Sequence, residues 1–378
     1  MPKPPDENDR LRAGTLPADP ESDAVPMPNP AALAAVEQAA ATRAELEASR
    51  VGLFVDAALA RMEARACGKE RPIALPWTPL NDALAGGLWP GLHVLVGNTG
   101  SGKSQFALQI AVEAARNDVP VLYVGLELGK VDLVARLLGL MTRRKWSRLY
   151  LGSGGPSELS ELRDRQPEVF AELGRMPFHL DVCPPMGWSY GELTRKAQAL
   201  RERYPERRGD DGKPIAGSRP MLVVLDFLQL VGSPPEARED LRERIGRAAY
   251  AARAVARDLD AAVILVSSTA RDNYARVDGD KDGAKGPGLG EGNPARLVGL
   301  GKESGEVEYA ADSVMVLCRD LAQNAQREGD DAWSTLWLAI AKTRARGESP
   351  EAQKGWVELR FNGGRFETRN AGRREVSL

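Results

Sequence analysis

Residues 92–110, LHVLVGNTGSGKSQFALQI, constrain this chain more than any other stretch. A short apolar run breaks into a glycine-rich turn and resumes at helical spacing, which reads as strand, loop and helix. Gly97, Gly102, Lys103 and Ser104 fill the pattern G-x-x-x-x-G-K-[ST], and Gly100 adds another position without a Cβ. The spacing has a physical cause. Successive backbone N–H groups must turn inward to hold a phosphate, and they do so at a helix N-terminus, where unpaired donors and the helix dipole favour an anion. Gly97, Asn98, Thr99, Gly100, Ser101, Gly102, Lys103 and Ser104 are therefore the expected cradle for a nucleotide. Lys103 brings a point charge to the β- and γ-phosphates, and the Ser104 hydroxyl is a ligand for Mg²⁺.

The rest of the composition narrows the partners. At 378 residues, with 43% hydrophobic and 28% charged positions, the chain has the make-up of an ordinary α/β protein. Its 51 basic and 53 acidic residues nearly cancel, so any nucleic-acid surface is a local patch and not a global field. Cys67, Cys183 and Cys318 lie far apart, without C-x-x-C or Cys/His grouping, which leaves neither a zinc site nor a disulfide framework. A reducing cytoplasm is the expected location. The first residues, MPKPPDENDR, are polar, and no apolar run reaches the roughly 18 residues of a membrane span, so neither signal peptide nor anchor is expected.

In chain order, residues 1–30 contain too little apolar surface to offset ordering entropy and read as a disordered tail. Residues 31–70 are Ala-rich with Leu33, Val36, Leu46, Phe54, Leu59 and Met62 loosely at helical spacing. They form one or two helices, packed on their own domain or docked on a neighbouring subunit. Residues 71–368 form the core domain, and 369–378 a polar C-terminal tail. Within the core, residues 119–126 (VPVLYVGL) read as a buried strand that ends at Glu127. Residues 178–182 are a further strand, and 206–220 a charged surface loop. Residues 221–225 (MLVVL) are the most apolar strand and deliver Asp226 at its C-terminal end. Ligands of open parallel sheets bind beyond that end, so Asp226 and the phosphate loop are expected to face one magnesium site. Residues 262–266 (AVILV), 313–317, 336–341 and 356–361 are the remaining strands, and 365–378 read as a polar end. Alternation of strands and helices implies a doubly wound, mostly parallel sheet. Residues 273–305 are too long and Gly-rich for an ordinary connection. Arg271, Arg276, Lys281, Lys285, Arg296 and Lys302 make this region a candidate for tracking the phosphates of DNA. Lys342 and Arg344 stand on alternate positions at a strand end, where two cations invite a phosphate.

From about residue 77 to 366, the chain resembles the RecA-type ATPase domain of DnaB-like replicative helicases. The resemblance is carried by LAGGLWPGLHVLVGNTGSGKSQFALQIA, VLYVGLELGKVDLVARLL, MLVVLDFLQLV, ESGEVEYAADSVMVLCRD, and IAKTRARG followed by VELRFNGGRFE. It implies a RecA-like P-loop NTPase with ATP and Mg²⁺ as cofactors, preceded by a short helical segment. It also implies residue roles. Glu127 matches the carboxylate that activates the attacking water, Asp226 the acid that holds Mg²⁺, and Gln229 the γ-phosphate sensor. Lys342 and Arg344 match the pair that a neighbouring subunit inserts to stabilise the phosphoryl-transfer transition state. Fingers acting in trans require a homo-oligomer, a hexameric ring in this family, moving along single-stranded DNA and served by a loader or replication-initiator protein. The chain departs from the family in two places. Ser267 and Ser268 stand where Ser-Gln is usual, and the large helical domain that contacts primase is expected to be missing. The second reading is a RecA-like ATPase switch or assembly factor of a plasmid, phage or repair system that does not unwind DNA.

Overall fold

A computed structural model describes residues 30–183, 188–208, 212, 217–233, 238–269, 273, 277, 289–299, 305–321 and 333–368. The chain divides into two compact units, residues 1–62 and 63–378. The first contains α1 (Pro30–Ala48), a 3₁₀ turn (Val51–Leu53) and most of α2 (Val55–Ala66). Where one or two helices were expected between residues 31 and 70, the structure has two. Neither α2 nor the turn buries a residue, and Leu46, Phe54, Leu59 and Met62 are exposed. The tail expected at residues 1–30 lies, but for Pro30, outside the described residues, as does that at 369–378.

The second unit is built on one nine-stranded sheet. A short helix, α3 (Thr78–Ala83), buries Leu80 and leads into it. The strands are β1 (Gly91–Gly97), β2 (Val121–Gly125), β3 (Phe178–Val182), β4 (Met221–Asp226), β5 (Ala261–Ser268), β6 (Ser313–Arg319), β7 (Ser334–Thr343), β8 (Trp356–Phe361) and β9 (Phe366–Thr368), in the order β3-β2-β4-β5-β1-β6-β7-β8-β9. The first six in that order pair in parallel, and β7, β8 and β9 extend the sheet antiparallel. β1, β2 and β4 are buried along their whole length, which is why their sequences are continuous apolar runs without alternation.

Helices cover both faces. On one side, α4 (Lys103–Arg116) and α5 (Lys130–Thr142) pack Phe106, Leu108, Ile110, Leu133 and Leu137 against Leu95, Tyr123, Val224 and Ile264. On the other, α9 (Tyr190–Arg203) and α10 (Leu241–Asp258) pack Leu193, Leu200, Ile245 and Val255 against Val94, Val124, Val223 and Leu265. Between α5 and β3 run α6 (Trp146–Leu151), α7 (Gly155–Arg165) and α8 (Pro167–Arg175). Asp240 starts α10 with a reciprocal capping box to Glu243.

Two of the elements not foreseen stand out. The polar end at 365–378 contains the edge strand β9, and its Phe366 is completely buried. The ring stacks on Phe361 at 4.2 Å and meets Phe106 and Trp77 edge-on. Trp77 donates its indole N–H to the Phe366 carbonyl, and the Gln109 amide both accepts from and donates to the Phe366 backbone. The two ends of the domain are thereby closed on the phosphate-loop helix. The other is α11 (Gly305–Ala310), a single short helix before β6.

Candidate nucleotide site

The phosphate loop runs from the end of β1 into α4. Gly97 allows a close approach, since a Cβ there would meet the Leu317 carbonyl at 2.9 Å and Ser101 Oγ at 2.8 Å. Gly102 adopts φ 89° against the rings of Phe366 and Phe361, a conformation and a clearance that only glycine provides. Lys103 is buried, and its Nζ donates to the carbonyls of Gly97 at 2.8 Å and Asn98 at 2.9 Å. The ammonium therefore lies folded back over its own loop.

Asp226 ends β4 at 1% exposure. The Ser104 hydroxyl donates to its Oδ1 at 3.0 Å and the Tyr123 phenol to its Oδ2 at 2.8 Å. The expected pairing of Asp226 with the loop is thus present, and its cause is the sheet register, which sets Gly125 of β2 beside Asp226 and β1 two strands away. Burial pushes the Asp226 carboxyl above its usual range, against the lowering effect of the Tyr123 and Ser104 hydrogen bonds. Glu127 stands two residues beyond β2, exposed at the same edge. Gln229 lies in the 3₁₀ turn Leu228–Leu230 after β4 and donates to Ser267 Oγ at 2.9 Å. Its Oε1 is buried without a hydrogen-bond partner, as are the hydroxyls of Ser101 and Thr269. Thr269 follows β5, whose Ser268 is level with Gly97. The loop, Asp226, Glu127 and Gln229 therefore share the C-terminal edge of the parallel strands.

Lys342 and Arg344 are elsewhere. Lys342 lies inside β7 and not beyond it, and Arg344 follows the strand's last residue. The Lys342 ammonium donates to the carbonyls of Glu308 at 2.9 Å and Tyr309 at 3.1 Å, and burial lowers its pKa with help from Arg344. Arg344 Nη1 pairs with Asp312 Oδ1 at 2.7 Å, and Asp312 also accepts from the Leu92 amide at 2.8 Å. Thr343 is level with Ser313 and Ser313 with His93, so these cations occupy the N-terminal edge of β1. Arg344 is level with Asp312 and Leu92, and the stretch of β1 from Leu92 to Gly97, about 16 Å at roughly 3.3 Å per residue, separates it from the phosphate loop of the same chain.

A third group of residues joins the loop from the side. Gln105 donates to the Gly364 carbonyl at 2.6 Å, and Trp146 donates to that of Gly363 at 2.9 Å, with the Arg136 guanidinium 3.8 Å over the Trp146 ring. The β8–β9 turn thus rests on the entrance of α4. Beside it is a cavity of about 600 Å³ lined by Arg143, Trp146, Trp333, Asn362 and Arg365. Of the residues suggested for DNA contact, Arg271, Arg276, Lys281, Lys285 and Lys302 lie outside the described residues. Arg296 is half-buried on the 3₁₀ turn Pro294–Leu297. Sequence reading missed Tyr123 as the partner of Asp226 and Asp312 as the partner of Arg344. For Tyr123 the signal was a lone hydroxyl in a strand of Val, Leu and Gly.

The strand order and the glycine loop define a RecA-like P-loop fold. Residues 77–367 match the DnaB-like helicase C-terminal domain, and the chain belongs to that family. A probable replicative DNA helicase of Trieres chinensis is 25% identical over 72% of this chain and 51% of its own length. The replicative DNA helicase DnaB of Leifsonia xyli is 26% identical over 64% of this chain and 45% of its own. The chain thus spans about half the length of these curated relatives. Among solved structures, an isolated ATPase domain superposes with TM-score 0.63 at 21% identity, covering 83% of this chain and 98% of that domain. A DnaB-like replicative helicase, solved for its interactions with primase, gives 0.62 at 22% identity over 88% and 70% of the two chains. Both share the fold. No described helix is long and apolar enough to cross a membrane.

Proposed function

We propose that the protein is an ATP-dependent DNA helicase or translocase of DnaB type, which hydrolyses ATP between copies of itself and moves along single-stranded DNA. The observation that carries this is the placement of Arg344 at the opposite edge of the sheet from its own phosphate loop. A cation so placed serves the site of a neighbouring copy, so hydrolysis belongs to an assembled ring, a hexamer by analogy with the family. The exposed apolar side chains of Leu46, Phe54, Leu59 and Met62 agree with a chain that has a neighbour to cover them.

ATP and Mg²⁺ fit the residues present. The loop offers backbone donors and an ammonium, Asp226 and Ser104 form an acid–hydroxyl pair, and the buried oxygens of Ser101, Gln229 and Thr269 await polar partners at the same edge. Bound Mg²⁺ supplies neutralisation of charge on the phosphates. Within the chain's own machinery, Lys103 leaves its carbonyls for the phosphates, Glu127 orients the attacking water and accepts its proton, and Gln229 senses the γ-phosphate. Gln229 already reaches Ser267, so β5 is tied to the nucleotide without the glutamine usual at position 268. The DNA-contacting loops follow β5, with Arg271, Arg276, Lys281, Lys285, Arg296 and Lys302 as their cations. A loader or replication-initiator protein and a cytoplasmic location complete the reading.

The deciding experiment measures ATP turnover with and without single-stranded DNA, at low and moderate salt, on protein sized by light scattering. Stimulation that weakens with salt on a ring-sized particle is the expected result. Slow hydrolysis indifferent to DNA overturns the motor.

A further inference from the structure

We propose that Tyr123 is a positioning residue for Asp226. Its phenol fixes Oδ2 of the carboxylate from inside the core, so that Oδ1 and the Ser104 hydroxyl present a set orientation to the cation of the nucleotide. The proposal rests on the reading of Asp226 and Ser104 as the metal pair.

The geometry begins in β2. Val121 and Tyr123 face the α4 side of the sheet, and Leu122 and Val124 face the other. Tyr123 thus enters a cluster of Phe106, Leu95, Leu133 and Val224, with its ring stacked on Phe178 at 6.3 Å. Nothing in that apolar setting calls for a hydroxyl, and burying one without a partner is costly. The ring is wholly buried, and its hydroxyl reaches Asp226 Oδ2 at 2.8 Å, with the Ser104 carbonyl farther off at 3.4 Å. The register holds the pair together, since Gly125 is level with Asp226 and the Leu126 amide donates to the Asp226 carbonyl at 2.7 Å. A strand-end carboxylate turns freely about its last torsion unless one oxygen is tied. Tied on the core side by the phenol, Asp226 has one rotamer to offer.

The hydroxyl therefore acts on metal-dependent binding and leaves metal-independent binding alone. Partners of this outer kind typically change metal affinity by about tenfold or more. Calorimetric titration of ADP into wild type and Tyr123→Phe, in Mg²⁺ and in EDTA, separates the two. Tyr123→Phe is expected to weaken binding about tenfold in Mg²⁺ and to match wild type in EDTA, with an unchanged circular dichroism spectrum. In the Asp226→Asn background, Tyr123→Phe is expected to add no further loss, because the oxygen it positions no longer carries charge. Equal binding by Tyr123→Phe and wild type in Mg²⁺ overturns the proposal, as does an equal loss in EDTA, which marks the phenol as core packing. Should wild type and Asp226→Asn bind alike with and without Mg²⁺, the metal pair itself fails, a result distinct from failure of the phenol alone.

Discussion

The two edges of the parallel sheet hold the same kinds of group in different ways. Each has an ammonium resting on two backbone carbonyls, Lys103 on Gly97 and Asn98, and Lys342 on Glu308 and Tyr309. Each has a carboxylate beside a strand end, Asp226 after β4's apolar run and Asp312 just before β6. At the C-terminal edge the carboxylate is 1% exposed and bound by two hydroxyls, which orient it without cancelling its charge. At the N-terminal edge the Asp312 charge is matched by Arg344 at 2.7 Å and faces Arg253 at 4.0 Å. An oriented, unneutralised acid suits a metal ion, whereas a neutralised one suits only the guanidinium it holds. With its side chain 61% exposed, Arg344 is in a pair of the surface kind, worth about 0.2–1 kcal/mol, and leaves it at little cost. On the proposed reading, one edge receives the nucleotide and the other supplies cations to a neighbouring copy.

Exchanging the two ammoniums for alanine tests that contrast most severely. Lys103→Ala is expected to weaken nucleotide binding by about a hundredfold, because a buried charge-assisted donor is lost to the phosphates. Lys342→Ala is expected to leave binding by a single chain within about twofold and to reduce turnover instead. Equilibrium titration with a fluorescent ADP analogue distinguishes them, and similar losses in both variants break the contrast.

A second test concerns the route between edges and is read in turnover, not in binding. Arg344→Ala and Glu127→Gln are each expected to lower turnover by roughly a thousandfold while nucleotide still binds. Mixed and allowed to exchange subunits, the two inactive proteins are expected to regain turnover, because some interfaces then pair an intact Glu127 with an intact Arg344. A mixture as inactive as its components excludes action in trans.

How far the sequence disclosed these edges depended on whether the controlling interaction was local. The phosphate loop was legible because its geometry is encoded within eight residues, and Asp226 because an apolar strand points to its own end. The strands expected at 178–182 and 356–361 lie within the same bounds in the fold. The strand β9 escaped because three residues show no period, and its one inward side chain, Phe366, is held by Trp77 and Gln109 from the far part of the chain. Likewise Asp312 and Arg344 are 32 positions apart and meet only through the β6–β7 register. Tyr123 looked like one more strand residue, since its hydroxyl gains meaning only beside Asp226, 103 residues later.

The smallest effect is a proton at the N-terminal edge. His93 is buried in β1, with Nε2 2.8 Å from the Trp89 carbonyl and Nδ1 2.7 Å from Ser313 Oγ. A carbonyl only accepts, so Nε2 carries a proton, while Ser313 Oγ donates to Nδ1 when the ring is neutral and accepts from it when the ring is charged. Burial lowers its pKa below 6.5, although the Trp89 carbonyl and the nearby Asp312 oppose this. The unfolded chain binds the proton first as pH falls, so the contribution of His93 to stability is full above pH 6.5 and shrinks through the window below it, down to the folded value. Replacing His93 by Gln removes that titration. The stability difference between wild type and His93→Gln, from urea midpoints at about pH 7.5 and pH 5.5, is therefore expected to move against wild type on acidification. The chain's second histidine, His179, is present in both proteins and cancels in the comparison. A difference independent of pH would mean that the Asp312 carboxylate screens His93 as effectively as water does, and that the N-terminal edge is far more polar than its burial implies.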